Sequence, residues 1–306
     1  MNEYFLRRNA LSAPDKISIT REHLETLKNA SSIQLEALYI EQKYDFVVEN
    51  YIEFEQTILN RGLNHLILGL KDEVSFHNDT SLFNRRIMNL LTVFKTYEDT
   101  YPQHIKKIFG GDKDKLRCTK ESFSEEFDKR FGYWLIPKIR NYVQHQGFPV
   151  HASTYGSQWI TNSDGIEKNR YTLDLYISPQ ELNKGDFNIE VKKRLNKINE
   201  KIDLKFILRD FMEGFSAAHV KNRLMLDEKI NWAVRYTQEA IDEFLLQTGY
   251  NSSVALFANG PDDQFSVATL ANDQRIHFVK KNSSLIRLSD RYISNEFEDR
   301  KREINN

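Results

Sequence analysis

The sequence predicts a mostly helical protein with one β-hairpin and a small C-terminal β segment. Three observations lead there. Gly (12) and Pro (6) are scarce in 306 residues, whereas turn-rich all-β folds use more of both. Apolar residues recur at spacings of three and four over several long stretches. One short region instead alternates polar with apolar residues around Asn162-Ser163-Asp164-Gly165, a turn sequence of the hairpin kind.

Taken in order, residues 1–31 form a mixed polar N-terminal segment, with Ser18 or Thr20 placed to cap a short helix over Arg21–Lys28. From Ser32, the series Leu35, Leu38, Phe46, Val47, Phe54, Ile58 and Leu66 runs without Pro, and Gly62 is its first Gly, so one or two long helices reach about Leu70. Leu82–Phe109 repeats the pattern until Gly110-Gly111-Asp112, with Pro102 expected to kink or restart the helix. Ser122–Gln146 forms the third helical stretch, bent at Pro137 and ended by Gly147 at the C′ position. Three such stretches imply an antiparallel bundle. The hairpin occupies about 152–180, pairing Tyr155–Ile160 with Tyr171–Ile177. Helix then returns from Asp186 and runs strongly from Leu204 to Leu246. Short strand-like pieces follow at Ser253–Phe257 and Phe265–Leu270, then Arg275–Lys280 and a charged tail from Asn295. The expected organisation is 1–31, a helical body over 32–250 with the hairpin inserted, and 251–306.

Composition narrows the function. A net charge of −1 gives no global attraction for nucleic acid or anionic lipid, so any such binding must come from a local patch. One cysteine, Cys118, excludes an intrachain disulfide and fits a reducing compartment. Met1–Ala10 lacks the apolar core of a signal peptide, and no apolar run nears membrane-spanning length. The expectation is a soluble, cytoplasmic protein with no membrane partner. A Gly-rich phosphate loop, paired CxxC and HExxH are all missing from the sequence.

The segment that carries chemistry is Ile139-Arg140-Asn141-Tyr142-Val143-Gln144-His145, followed by Gly147 and Pro149. It puts a permanent cation and a titratable imidazole on the last turns of one helix. Arg presents paired N–H donors matched to a phosphate, and His gives or takes a proton near neutrality. Carbonyls at a helix C-terminus favour cationic side chains, which suits His145 to a general acid protonating a leaving 5′-oxygen. Arg140 would then stabilise the phosphorane, and Asn141 would orient the imidazole or hold a phosphate oxygen. Lys138, Gln144 and His151 are the neighbouring candidates for substrate contact. One Arg and one His supply half of an acid–base pair, so a homodimer is the natural complement. The same three residue types are also ordinary at an exposed helix end.

Arg140-Asn141-Tyr142-Val143-Gln144-His145, with Gly147 and Pro149, resembles the R-x4–6-H motif of HEPN domains. The resemblance covers about residues 32–150. It implies a HEPN-like helical bundle, with Arg140 and His145 catalytic and Asn141 in support. It further implies a metal- and cofactor-free endoribonuclease of toxin, abortive-infection or antiviral-defence type, acting on RNA as a dimer, with an antitoxin or regulatory protein as a possible partner. HEPN-like domains also serve as catalytically silent assembly modules that bind a protein partner. Both readings follow from the resemblance.

Two weaker patterns compete. Glu190-Val191-Lys192 with Asp174 upstream has the residue types of a metal-dependent nuclease, but the apolar spacing of Val191, Leu195 and Ile198 reads as helix rather than strand. The group Lys106, Lys107, Lys113, Lys115 and Arg117 is interrupted by Asp112 and Asp114 and reads as a solvated loop.

Overall fold

A computed structural model describes residues 4–8, 15–69, 72–161, 165, 167–249, 256–260, 264–267, 270–282, 284–291 and 293. The protein is mainly helical, with two small antiparallel sheets. In chain order the elements are β1 (Phe5–Arg8), β2 (Lys16–Ser18), α1 (Arg21–Leu68), α2 (Glu73–Ile108), α3 (Lys113–Lys129), α4 (Phe131–His145), β3 (Ala152–Thr161) and β4 (Glu167–Ile177). There follow α5 (Pro179–Leu182), α6 (Ile189–Asn196), β5 (Ile202–Asp203), α7 (Leu204–Thr248), β6 (Leu256–Asn259), β7 (Gln264–Ser266) and α8 (Leu270–Lys281). Among the described residues, no helix is long and apolar enough to cross a membrane.

The chain divides into two compact units. One comprises 1–48, 93–124 and 218–284; the other comprises 49–92, 125–217 and 285–306. They cut across the consecutive stretches expected from the sequence, because α1, α2, α3 and α7 each contribute residues to both.

The first unit holds the sheet of order β2-β1-β6-β7. The N-terminal segment therefore contains strands, which its mixed composition did not reveal. Leu6 faces Ile17 in β2 and Ala258 in β6, and all three are buried with Leu24, Leu27, Ile241 and Phe244. A three- or four-residue strand holds too few alternations to show its period. Thr20 caps α1, its hydroxyl accepting the His23 N–H at 3.1 Å, and the helix runs on for 48 residues rather than stopping at Lys28. Arg275–Lys280 lies inside α8. Of the two expected C-terminal strands, residues 253–255 and 268–269 lie outside the described residues, as does the tail from 294.

The interior of this unit is polar as well as apolar. Glu41 receives a two-pronged bond from Arg223 at 2.8 and 2.7 Å and a third from His219 Nε2 at 3.1 Å. The Tyr97 hydroxyl lies 2.9 Å from His219 Nδ1, and the Tyr44 ring stacks on the imidazole at 3.8 Å. Burial would raise the Glu41 carboxyl, but the hydrogen bonds from His219 and Arg223 and the charge of the Arg223 guanidinium overcome it and hold the group at about 2. Burial holds His219 neutral. That fits Nε2–H donating to Glu41 while Nδ1 accepts from Tyr97.

The second unit holds the site. Its sheet has the order β3-β4-β5, with the hairpin register running from Ala152↔Tyr176 to Thr161↔Glu167. Turn residues 162–164 lie outside the described residues, and Gly165 has φ 76, in the left-handed region that favours glycine. α2 runs as one helix through Pro102 with no restart there, and ends where Gly110 takes φ 63 and the Gly111 N–H bonds the Lys106 carbonyl at 2.8 Å.

The stretch 122–146 breaks into α3 and α4, and it breaks at Arg130 rather than at Pro137. Arg130 has extended backbone (φ −114, ψ 126), and its guanidinium bonds Glu126, Asp210 and Glu213, each at 3.0 Å. Asp210 on α7 also accepts the Gly132 N–H at 2.7 Å, capping α4 from outside the helix. A Cβ on Gly132 would sit 2.4 Å from the Ile207 carbonyl oxygen, so only glycine allows this approach. Pro137 is accommodated inside α4.

Two predictions follow from these contacts. Gly132→Ala should lower unfolding free energy by about 1–3 kcal/mol, as overpacking against a fixed backbone does, read as a fall in the urea midpoint. Glu41→Gln should cost about 3–5 kcal/mol, since it strands a buried guanidinium. Because the Glu41 carboxyl is depressed on folding, its contribution is fully present above the ordinary carboxylate range and fades as pH falls toward about 2. The wild type should therefore lose stability between about pH 5 and pH 3 more steeply than Glu41→Gln, measured as urea midpoints across that range.

Candidate functional site

The first turns of α4 are buried all round, Tyr133 and Trp134 included, and beyond them the helix buries Leu135, Ile136, Ile139 and Tyr142. At 100° per residue these define its inner face, and the opposite arc is bounded by Arg140 on one edge and His145 on the other. Gln144 and Asn141 lie between them. All four motif candidates therefore point outward: Arg140 and Asn141 are half-buried, and Gln144 and His145 are exposed. Five residues of helix separate Arg140 from His145 by about 140°, so the two flank an exposed ridge rather than meet side by side.

Neither Arg140 nor His145 has a hydrogen bond or ion pair among the described residues. The contrast within the same unit is clear. Arg61 pairs with Asp79, Arg86 with Glu53, Arg130 with three carboxylates and Arg209 with Glu55. Asn141 Nδ2 donates a long bond, 3.4 Å, to the Asp186 carbonyl, so its amide leans toward the segment before α6 and not toward His145.

The C-terminus of α4 is closed by Gln146 and Gly147, whose N–H groups both reach the Tyr142 carbonyl, at 2.8 and 3.3 Å. Gly147 occupies C′ as expected, for a different reason: it is absent from the residues with left-handed backbone, and a Cβ there would stand 2.8 Å from the Tyr142 hydroxyl. Beyond it the Val150 N–H bonds Asn84 Oδ1 at 2.9 Å, tying the exit loop to α2. A cleft of about 630 Å³ opens here, lined by His77, Ser81, Arg85 and Met88 of α2 and by Phe148, which is 62% exposed.

His151 does not join the outward arc. Its Nδ1 accepts the Ser178 N–H at 2.9 Å, its own N–H donates to the Tyr176 carbonyl, and its ring meets Tyr142 edge to face at 5.5 Å. Nε2 is buried without a partner, and burial pulls the imidazole below its ordinary range. This is a neutral histidine built into the start of the hairpin.

Lys138 is on the arc's His145 side. Its Nζ lies 4.4 Å from the Phe127 ring centroid and 4.8 Å from that of Trp134. Burial, and then the like charge of Arg194, lower it to about 8.

The competing patterns dissolve into ordinary contacts. Glu190 and Lys192 sit in the first turn of α6, and Asp174 on β4 holds Lys205. In the basic group, Lys107 pairs with Glu36 at 2.6 Å, Arg117 with Asp114 and Glu121, and Lys115 rests over Phe109. Arg194, His77 and Arg85 escaped the sequence reading. His77, Ser81 and Arg85 fall at i, i+4 and i+8 on one face of α2, a pattern identical to any solvated helix stripe until Phe148 is seen beside it.

Comparison with protein-family models, with curated proteins and with solved structures finds no match.

The contact of Gly147 with Tyr142 can be tested directly. Gly147→Ala should cost about 1–2 kcal/mol in the wild type and much less in Tyr142→Phe, where the obstructing hydroxyl is gone. Chemical denaturation of the four proteins of that cycle gives the coupling.

Proposed function

We propose that this protein is a metal-independent endoribonuclease of HEPN type, with Arg140 and His145 as its catalytic residues. The observation that carries the reading is the outward arc of α4. Among the described residues it displays a guanidinium and an imidazole without protein partners at a helix end, whereas Arg61, Arg86, Arg130 and Arg209 of the same unit are each paired with carboxylates. The resemblance of Arg140–His145 to the R-x4–6-H motif supplies the reaction class, and the mainly helical fold, with the motif ending the fourth helix, is compatible with it.

In this reading the 2′-hydroxyl oxygen of the substrate attacks the adjacent phosphorus and the bond to the 5′-oxygen breaks. Arg140 binds the non-bridging oxygens as charge accumulates on the phosphorane. His145 gives its proton to the departing 5′-oxygen, leaving a 2′,3′-cyclic phosphate and a 5′-hydroxyl. The proton of the attacking hydroxyl goes to a second imidazole, His145 of a second copy, so the active form is a homodimer with two α4 ends facing one strand. The separation of Arg140 and His145 around the helix suits that arrangement, because each edge of the ridge can serve a phosphate shared with the other copy.

The test is cleavage of RNA by the purified protein in excess EDTA, with end-group analysis of the products. Cyclic-phosphate ends are expected, and Arg140→Ala or His145→Ala should each lower the rate by about 10²–10⁴-fold with unchanged circular dichroism. Cleavage that survives both substitutions, or that stops on adding EDTA, would overturn the mechanism.

A further inference from the structure

The bearing of Asn141 and His145 continues N-terminal to the motif, where it passes over the buried Trp134. Phe131, Trp134, Lys138, Asn141 and His145 follow one another at intervals of three and four, so they form a single stripe along the helix. The upper part of this stripe contains an electrostatic imbalance. Lys138 packs its ammonium against the Phe127 and Trp134 rings, as described above. Arg194, on α6, sets its guanidinium carbon 3.9 Å from the Trp134 centroid and 5.6 Å from that of Phe131. Two cations thus share one indole.

Aromatic faces attract cations, but a ring quadrupole does not cancel a full charge. Neither Lys138 nor Arg194 has a hydrogen bond or ion pair to a carboxylate among the described residues. Lys138 is partly buried and Arg194 exposed; of the other partly buried cations of this unit, Arg130 is answered by three carboxylates, Arg209 by Glu55 and Lys205 by Asp174. At Trp134 the protein places two like charges together and provides no counterion. An anionic ligand would supply it.

The chemistry of that ligand is constrained. Trp134 is only 8% exposed, so the ring serves as a floor for the cations and leaves little face on which a base could stack. Recognition must therefore be of charge, by one ammonium and one guanidinium, which is the combination that binds phosphate. Position matters as well. Lys138 precedes His145 by seven residues, about 10 Å along the axis and within about 20° of the same bearing. A phosphate at Trp134 and a phosphate at the motif would lie in line along one helix, as neighbouring phosphates of a single extended strand can.

We propose that Lys138 and Arg194 form a backbone-phosphate site that seats an RNA strand along α4, next to the phosphate handled by Arg140 and His145. The identity of the strand rests on the ribonuclease reading; the anion site rests on the cation pair itself.

The experiment is binding of a fluorescein-labelled 2′-O-methyl oligoribonucleotide, which lacks the attacking hydroxyl and stays intact, followed by anisotropy over a range of salt. Lys138→Met keeps an apolar stem on the rings and removes the charge, Arg194→Gln does the same for the guanidinium, and Lys138→Arg retains charge as a control for folding. Each charge-removing change should weaken binding about tenfold at low salt, and the double change should lower the slope of log K against log salt by about 0.7, the value of one phosphate on a single strand. Lys138→Arg should remain close to wild type. Unchanged affinity and slope in the double variant would overturn the proposal. So would saturation by inorganic phosphate alone in a protein that does not bind the oligonucleotide. If the charge-removed variants lose binding while the wild type leaves ordinary RNA uncut in EDTA, the nuclease reading falls and the phosphate site stands. If the wild type cleaves, and Lys138→Met and Arg194→Gln leave KM untouched, the phosphate site falls and the nuclease stands.

Discussion

The carboxylate of Asp210 sets the geometry on which the site depends. One of its oxygens takes the Arg130 guanidinium and the other takes the Gly132 N–H, each from the start of α4. A helix has one rotational degree of freedom about its axis, and pinning its first turn removes it. Once Gly132 is held against α7, the inward bearing of Ile139 and Tyr142 and the outward bearing of Arg140 and His145 follow from 100° per residue. Loss of the cap alone would cost about 1 kcal/mol. Its larger effect is on direction, since a helix free to rotate would carry the motif toward the interior.

The two histidines flanking the end of α4 illustrate how environment assigns roles to the same side chain. His145 is exposed and has no partner among the described residues, whereas His151, six residues on, spends Nδ1 on a backbone N–H and hides its other nitrogen. From the sequence both are polar residues near a helix exit, and proximity to Arg140 argued for each. Only the pairing of Ala152 with Tyr176 shows that the chain enters a strand directly after His151.

Much of the architecture was legible because it is written in long periods. The helices of α1, α2 and α7 repeat their apolar spacing often enough to be unmistakable, and the alternation in the hairpin brackets a turn sequence. The break at Arg130 was not legible. Its cause is a set of carboxylates about 80 residues away, and a nearby proline offered a more obvious reason for a bend. Strands β1 and β2 were hidden for a related reason: three or four residues cannot display a period, and β1 meets β6 more than 240 positions along the chain. Within the site, the motif's residue types were readable, and Lys138 came with them. Arg194 belongs to another helix and meets the stripe only through Trp134.

The interleaving of the two compact units constrains how the protein can be taken apart. Each is assembled from three separated stretches of chain, and four helices contribute residues to both. A single cut therefore cannot liberate either one whole: any shortened version ending inside α1, α2 or α7 would leave apolar faces such as those of Phe54 or Phe215 without their covering residues. Neither unit can be inherited, expressed or shuffled as a continuous cassette, so the motif of α4 comes whole only with the separated stretches that make up its own unit.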